Sequence, residues 1–262
     1  MMLNNRNSGY SIHSNYASFK KTRTWKEAIG FINAFIVAMV IRTFLFQPFS
    51  IPSGSMYPTL EVGDFLFVNK FKYGYCNHTF PFSPPLMESR IFSSEPKIGD
   101  VVVFNNPKDE GKDYIKRLVG KPGDRIQVKD GVLHINGMAV KLERIDDYHM
   151  VDEITGEFLV LPHYIETLPN GVRHPILKAR AMGLGRLDNT PEFIVPSGHY
   201  FMMGDNRDNS LDSRVPEKVG FIPEKNLIGR AEILFFSTNA SWYEPWKWPF
   251  GLRYHRLLNM IR

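Results

Sequence analysis

One short apolar segment near the start of the chain constrains its folding more than any other feature. From Ala28 to Ile41 about 14 residues carry no charge, and with the Arg42 guanidinium extended to an interface the run from Trp25 to Phe46 reaches about 20. That is the length an α-helix needs to cross a bilayer, where every backbone polar group must be satisfied internally. Lys20, Lys21, Arg23 and Lys26 stand just before it. Basic residues stay on the cytoplasmic side, so the expectation is a cytoplasmic segment over residues 1–24, a transmembrane signal anchor over 25–46, and an extracytoplasmic remainder beyond about Pro48. The flank Arg42-Thr43-Phe44-Leu45 has no small-residue cleavage pattern, which favours a retained anchor over a removed leader.

The 262 residues have 43% hydrophobic content, enough for a packed core. A net charge of +5 would suit nucleic acid or an anionic membrane surface. The basic cluster beside the apolar segment points to the lipid bilayer as partner, and no helix-turn-helix or zinc-finger signature points to nucleic acid. Cys76 is the only cysteine, so no internal disulfide can form and no cysteine-rich zinc site exists. No His-Glu-x-x-His string supplies a metal ligand set either, and neither metal nor cofactor is expected.

Beyond residue 47 the pattern is of short strands: Phe65 to Val68, Val101 to Phe104, Ile115 to Val119, and Val132 to Ile135 between the turn signals Asp130-Gly131 and Asn136-Gly137. Strand character returns at Phe193 to Val195, His199 to Met203 and Ile228 to Phe236. No helical pattern of the βαβ kind separates these runs, so the expectation is a mainly β fold with a largely antiparallel domain over residues 47–140 and 193–262. Residues 141–192 are polar and irregular, and read as an inserted β-ribbon subdomain.

Three strings carry chemistry: Ser53-Gly54-Ser55-Met56, Tyr114-Ile115-Lys116-Arg117, and Gly204-Asp205-Asn206-Arg207-Asp208-Asn209-Ser210-Leu211-Asp212-Ser213-Arg214. The last looks superficially like a calcium loop, but Ser213 replaces its glycine and Val219 its twelfth-position carboxylate. Together, and in this order, the three strings resemble motif boxes of bacterial type I signal peptidases. Gly63 to Lys70 and Gly99 to Phe104 extend the resemblance over most of residues 25–252.

The resemblance implies a serine endopeptidase of the bacterial inner membrane that removes signal peptides from secretory preproteins at Ala-x-Ala-like sites. It makes Ser55 the nucleophile and Lys116 the general base, with the oxyanion held by Ser53 and by the Ser55 N–H. It further implies that Ser210 orients the Lys116 amine by hydrogen bond and that a supporting Asp212–Arg214 ion pair holds the strand carrying that amine. We expect Arg117 to pair with Asp205, and Phe49, Ile51, Pro52, Met56 and Tyr114 to line shallow substrate pockets. An amine acts as base only when neutral, so Lys116 must be desolvated until its pKa approaches 7. The rival readings are a self-cleaving Ser/Lys relative and a membrane-tethered β scaffold without activity.

Overall fold

The computed structural model describes residues 11–80, 83–85, 90–109, 111–151, 156–240 and 245–262. Contacts divide the chain into two units, Met1–Arg42 and Thr43–Arg262. The first is dominated by helix α1, Ser11–Phe44, whose apolar part Thr24–Phe44 spans 21 residues. At 1.5 Å per residue that part is about 31 Å long, the thickness of a bilayer's hydrocarbon core. It ends two residues before the expected boundary at Phe46. Phe46 instead opens a strand, and Pro48, which lacks an N–H, is accommodated there because that strand lies at a sheet edge.

The second unit is mainly β. Its strands are β1 (Phe46–Ser50), β2 (Asp64–Asn69), β3 (Val101–Asn105), β4 (Asp113–Gly120), β5 (Arg125–Lys129), β6 (Val132–Ile135), β7 (Met138–Ala139) and β8 (Lys141–Arg144). They continue as β9 (Tyr148–Val151), β10 (Phe158–Leu161), β11 (His163–Thr167), β12 (Arg173–Leu177), β13 (Phe193–Ile194), β14 (His199–Met203), β15 (Ile222–Pro223) and β16 (Leu227–Ser237). Seven of them form one antiparallel sheet in the order β1-β2-β16-β3-β4-β14-β15. The last strand in the chain thus lies between β2 and β3, and joins the half that begins with β1 to the half that contains β4.

The hairpin signals act as their chemistry dictates. Asp130-Gly131 and Asn136-Gly137 both adopt positive φ at the two central positions, the geometry of tight turns that match strand twist. They close β5 onto β6 and β6 onto β7. These strands leave the large sheet, however, and with β13 make a separate four-stranded one. Val119, Phe201 and Met203 from the large sheet meet Ile126, Leu133 and Ile135 in a buried cluster that seals the two together. Residues 141–192 supply the three-stranded sheet β12-β11-β8 and the hairpin β9–β10, more structure than the ribbon expected. They remain in the same compact unit as the rest of Thr43–Arg262.

Candidate active site

Ser55 sits in a single turn of 3-10 helix, Gly54–Met56, directly after β1. Buried Ile51, Met56 and Leu60 root this segment in the cluster formed by Leu66, Val68, Val101 and Leu234. A side chain at Gly54 would meet the Tyr57 ring at 2.7 Å, so only glycine lets the turn close. The backbone on both sides of the serine is clasped by Asn206, whose N–H donates to the Ser55 carbonyl at 3.1 Å and whose Nδ2 donates to the Gly54 carbonyl at 3.0 Å. The Asn206 Oδ1 is buried with no protein partner.

Lys116 arrives from β4, paired opposite Val102 of β3. Its Nζ donates to Ser55 Oγ at 2.7 Å and to the Ile115 carbonyl at 2.9 Å, and lies 5.5 Å from the Tyr114 ring centroid. The side chain is 4% exposed and Ser55 9%. Burial lowers the amine's pKa to about 8, while the Asp212 and Asp205 carboxylates oppose the shift. Those two acids keep it above the value near 7 that base catalysis would favour.

The expected hydrogen bond from Ser210 to Lys116 is not formed. Ser210 Oγ is buried without a hydrogen-bond partner, and against burial it helps Arg214 hold the Asp212 carboxyl below its usual range. Its place on the amine is taken by the Ile115 carbonyl. Gly204 is packed between the groups concerned: a Cβ there would lie 2.2 Å from Ser210 Oγ and 2.5 Å from the Ser55 carbonyl oxygen.

Beside Ser55 and Lys116 lies a buried ionic network. Arg117 makes a bidentate pair with Asp205 at 2.9 and 2.7 Å, and its Nη1 donates to the Gly99 carbonyl at 2.7 Å. Thr59 Oγ1 donates to Asp205 at 2.5 Å, linking the network to the serine's own segment. Arg214 grips Asp212 at 2.9 and 2.8 Å, within the loop of residues 204–214 that follows β14. The Asp212 carboxylate accepts the Gly204 N–H at 3.0 Å, so the pair shapes the loop from within.

The sequence reading missed the other half of the network. His174 on β12 stands between Asp205, 3.4 Å from Nδ1, and Glu166 on β11, 3.1 Å from Nε2; Glu166 also accepts from Arg207 at 2.9 and 2.5 Å. Against the burial that would raise it, Arg207 and His174 hold the Glu166 carboxyl down at about 2. Burial likewise opposes ionisation of Asp205, and Arg117 with His174 outweighs it, holding that carboxyl far below its usual range. Glu166 and His174 both fall in the polar stretch read as an insertion, and no motif marked them.

A cavity of about 870 Å³ opens over Ser55 and Lys116. Of the residues expected to bind substrate, Pro52 and Tyr114 line it, and so does Ser53. Phe49, Ile51 and Met56 do not: Ile51 and Met56 are core residues at 3% and 0% exposure, and Phe49 packs against the same cluster. Their roles as pocket walls pass to Ile115, Tyr57 and Val62, and to Met150, Leu159 and Leu161 of the hairpin β9–β10. Alternation along β1 and its turn tells which side chains turn inward, not whether inward means core or cleft.

Several known proteins are similar to this chain. Residues 23–236 match the family model described as "Signal peptidase, peptidase S26". A signal peptidase I of Rickettsia typhi is 41% identical over 232 residues, covering 86% of this chain and 85% of that protein. The Rickettsia prowazekii counterpart is 39% identical over 237 residues, covering 88% and 87%. Among solved structures, a signal peptidase I from Enterococcus faecalis is 23% identical with a TM-score of 0.30, covering 52% of this chain and 97% of that one.

Proposed function

The chain belongs to the signal peptidase family, peptidase S26, and is an enzyme of signal-peptide removal; we propose that it cleaves with Ser55 as nucleophile and Lys116 as general base while tethered to the membrane by Thr24–Phe44. The observation that carries this reading is the 2.7 Å contact between a buried lysine amine and a buried serine hydroxyl. With the amine neutral the contact reverses, and the hydroxyl donates to the nitrogen lone pair.

As the Ser55 Oγ–carbon bond forms, the hydroxyl proton passes to Lys116. The oxyanion is held by the Ser55 N–H and the Ser53 hydroxyl, hydrogen-bond donors aimed where the charge develops. The ammonium then gives its proton to the leaving nitrogen as the peptide bond breaks. A water molecule next gives a proton to the same amine and adds to the acyl carbon; as the ester bond to Ser55 Oγ breaks, the Lys116 ammonium returns that proton to Oγ, which frees the signal peptide and restores the serine and the neutral amine.

Pro52, Tyr114 and Ile115 give one lip of the cavity an apolar, stiff surface suited to small side chains. This supports Ala-x-Ala-like cleavage sites in secretory preproteins as substrates. The basic cluster from Lys20 to Lys26 supports a cytoplasmic N-terminus, with residues beyond the helix on the extracytoplasmic side of the bacterial inner membrane.

The test is incubation of the detergent-solubilised full chain with a preprotein and mass analysis of the products. Cleavage after a small residue by the native chain, and none by Ser55→Ala or Lys116→Arg, is expected. Cleavage by either variant at near-native rate would refute the dyad.

A further inference from the structure

The hairpin β9–β10 presents one of its faces to the active site. Its register sets Leu159 opposite Met150 and Leu161 opposite Tyr148, so these four side chains share a face. That face packs with Tyr57 and Val62 in a small cluster separate from the cores of the large sheet. The hairpin is also fastened to the segment after Ser55, because the Tyr148 hydroxyl donates to Glu61 at 3.1 Å while Arg253 and Arg256 hold the same carboxylate at 2.8 Å each. Met150 and Leu159 are only partly buried by this packing, and their remaining surface lines the cavity over Ser55.

The other apolar lining has a different origin. Ile115 packs on the cluster of Ile51 and Met56, and Tyr114 on that of Leu118 and Met202. Ser55 and Lys116 therefore lie in a cleft with two apolar walls rooted in separate cores. An extended peptide advances about 3.3 Å per residue, so a substrate with its scissile carbonyl on Ser55 carries the residues before and after the cut to different sides of the nucleophile.

We propose that Met150 and Leu159 form a specificity-determining wall for the residues that follow the scissile bond, accepting an apolar side chain from the first residues of the mature protein. This rests on the Ser55/Lys116 reading and on the Pro52-Tyr114-Ile115 lip taking the residues before the cut. Residues 141–192 are then part of substrate selection.

The experiment compares kcat/KM on two series of preproteins, one varied at the residue before the cut and one at the two residues after it. It uses the full-length chain, the Met150→Ala/Leu159→Ala double variant, and Leu159→Phe, which fills the wall where the first variant empties it. The native chain should prefer leucine over aspartate after the cut, and the double variant should lose about tenfold of that preference, the scale of a small change in an apolar pocket. Leu159→Phe should instead turn against bulky residues there. In both variants discrimination at the residue before the cut should stay unchanged. An unchanged profile after the cut in both variants, or a change confined to the residue before it, overturns the proposal. A native chain showing no Ser55-dependent cleavage would overturn the dyad itself, a distinguishable failure.

Discussion

Titrating the base is the sharpest way to challenge the mechanism. Burial lowers the Lys116 pKa from 10.5 to about 8, a shift worth about 3 kcal/mol at 1.36 kcal/mol per unit. At pH 7 about one molecule in eleven then carries a neutral amine, against about one in 3,000 for an unshifted lysine. Since kcat/KM reports the free enzyme's titration, it should climb about tenfold per pH unit between 6 and 7, bend near 8 and level off above 9. Lys116→Arg keeps the positive charge but cannot release a proton, so it should lose at least about 1,000-fold at every pH in this range. The assay is initial-rate cleavage of one preprotein in detergent across a constant-ionic-strength buffer series. A rate flat from pH 6 to 9, a midpoint above 9.5, or measurable turnover by the arginine variant with a native-like profile would refute the reasoning.

The same shift bears on stability. A lysine whose folded pKa is depressed binds fewer protons folded than unfolded between about pH 8 and 10.5, so it destabilises the fold below that window, and Lys116→Met should raise stability at pH 7 by about 2–3 kcal/mol in chemical unfolding. Gly204→Ala should lower kcat about 100-fold or more with modest change in melting temperature, because the added methyl would displace the Ser55 carbonyl and misplace the nucleophile. Glu166, held at about 2, stabilises the fold above its unfolded pKa near 4.5, a contribution lost as the pH falls through 2. Glu166→Gln should therefore cost about 3 kcal/mol at pH 7 and flatten the stability profile between pH 5 and 2, as measured by thermal unfolding. Protease added outside intact spheroplasts should cut within residues 129–174 and spare residues 1–20; the reverse would invert the proposed topology.

What could be read from the sequence was whatever local chemistry specifies. Asn136-Gly137 announces a turn because two positive φ angles in succession suit few other pairs, and the apolar run at Ala28 announces a helix by length alone. Arg117 with Asp205 could be anticipated because alternation along a strand sets Arg117 on the face opposite Lys116, whereas the Asp212–Arg214 pair was implied only by the family resemblance. Positions set by three-dimensional packing escaped. Met150 and Leu159 look like any alternating strand residues until the hairpin folds over the serine's turn. Glu166 and His174 lie eight residues apart in an unremarkable polar stretch, and only the pairing of β11 with β12 brings them together beneath the loop. Ile51 and Met56 flank the nucleophile closely enough to suggest a pocket, yet the turn that exposes Ser55 drives both into the core.

The place of β16 in the large sheet bears on when this enzyme can begin to work. A ribosome that has synthesised the chain through Lys116 has already supplied both reacting groups, but Ser55 belongs to the β1–β2 half of the sheet and Lys116 to the β3–β4 half. The strand that joins those halves ends at Ser237, and the asparagine that clasps the serine's turn is residue 206. During its own biosynthesis the protein is therefore a protease without an assembled centre. On the proposed membrane-tethered Ser55/Lys116 reading, the apolar helix is made well before the centre is assembled, and a chain truncated before the final strand should be inert.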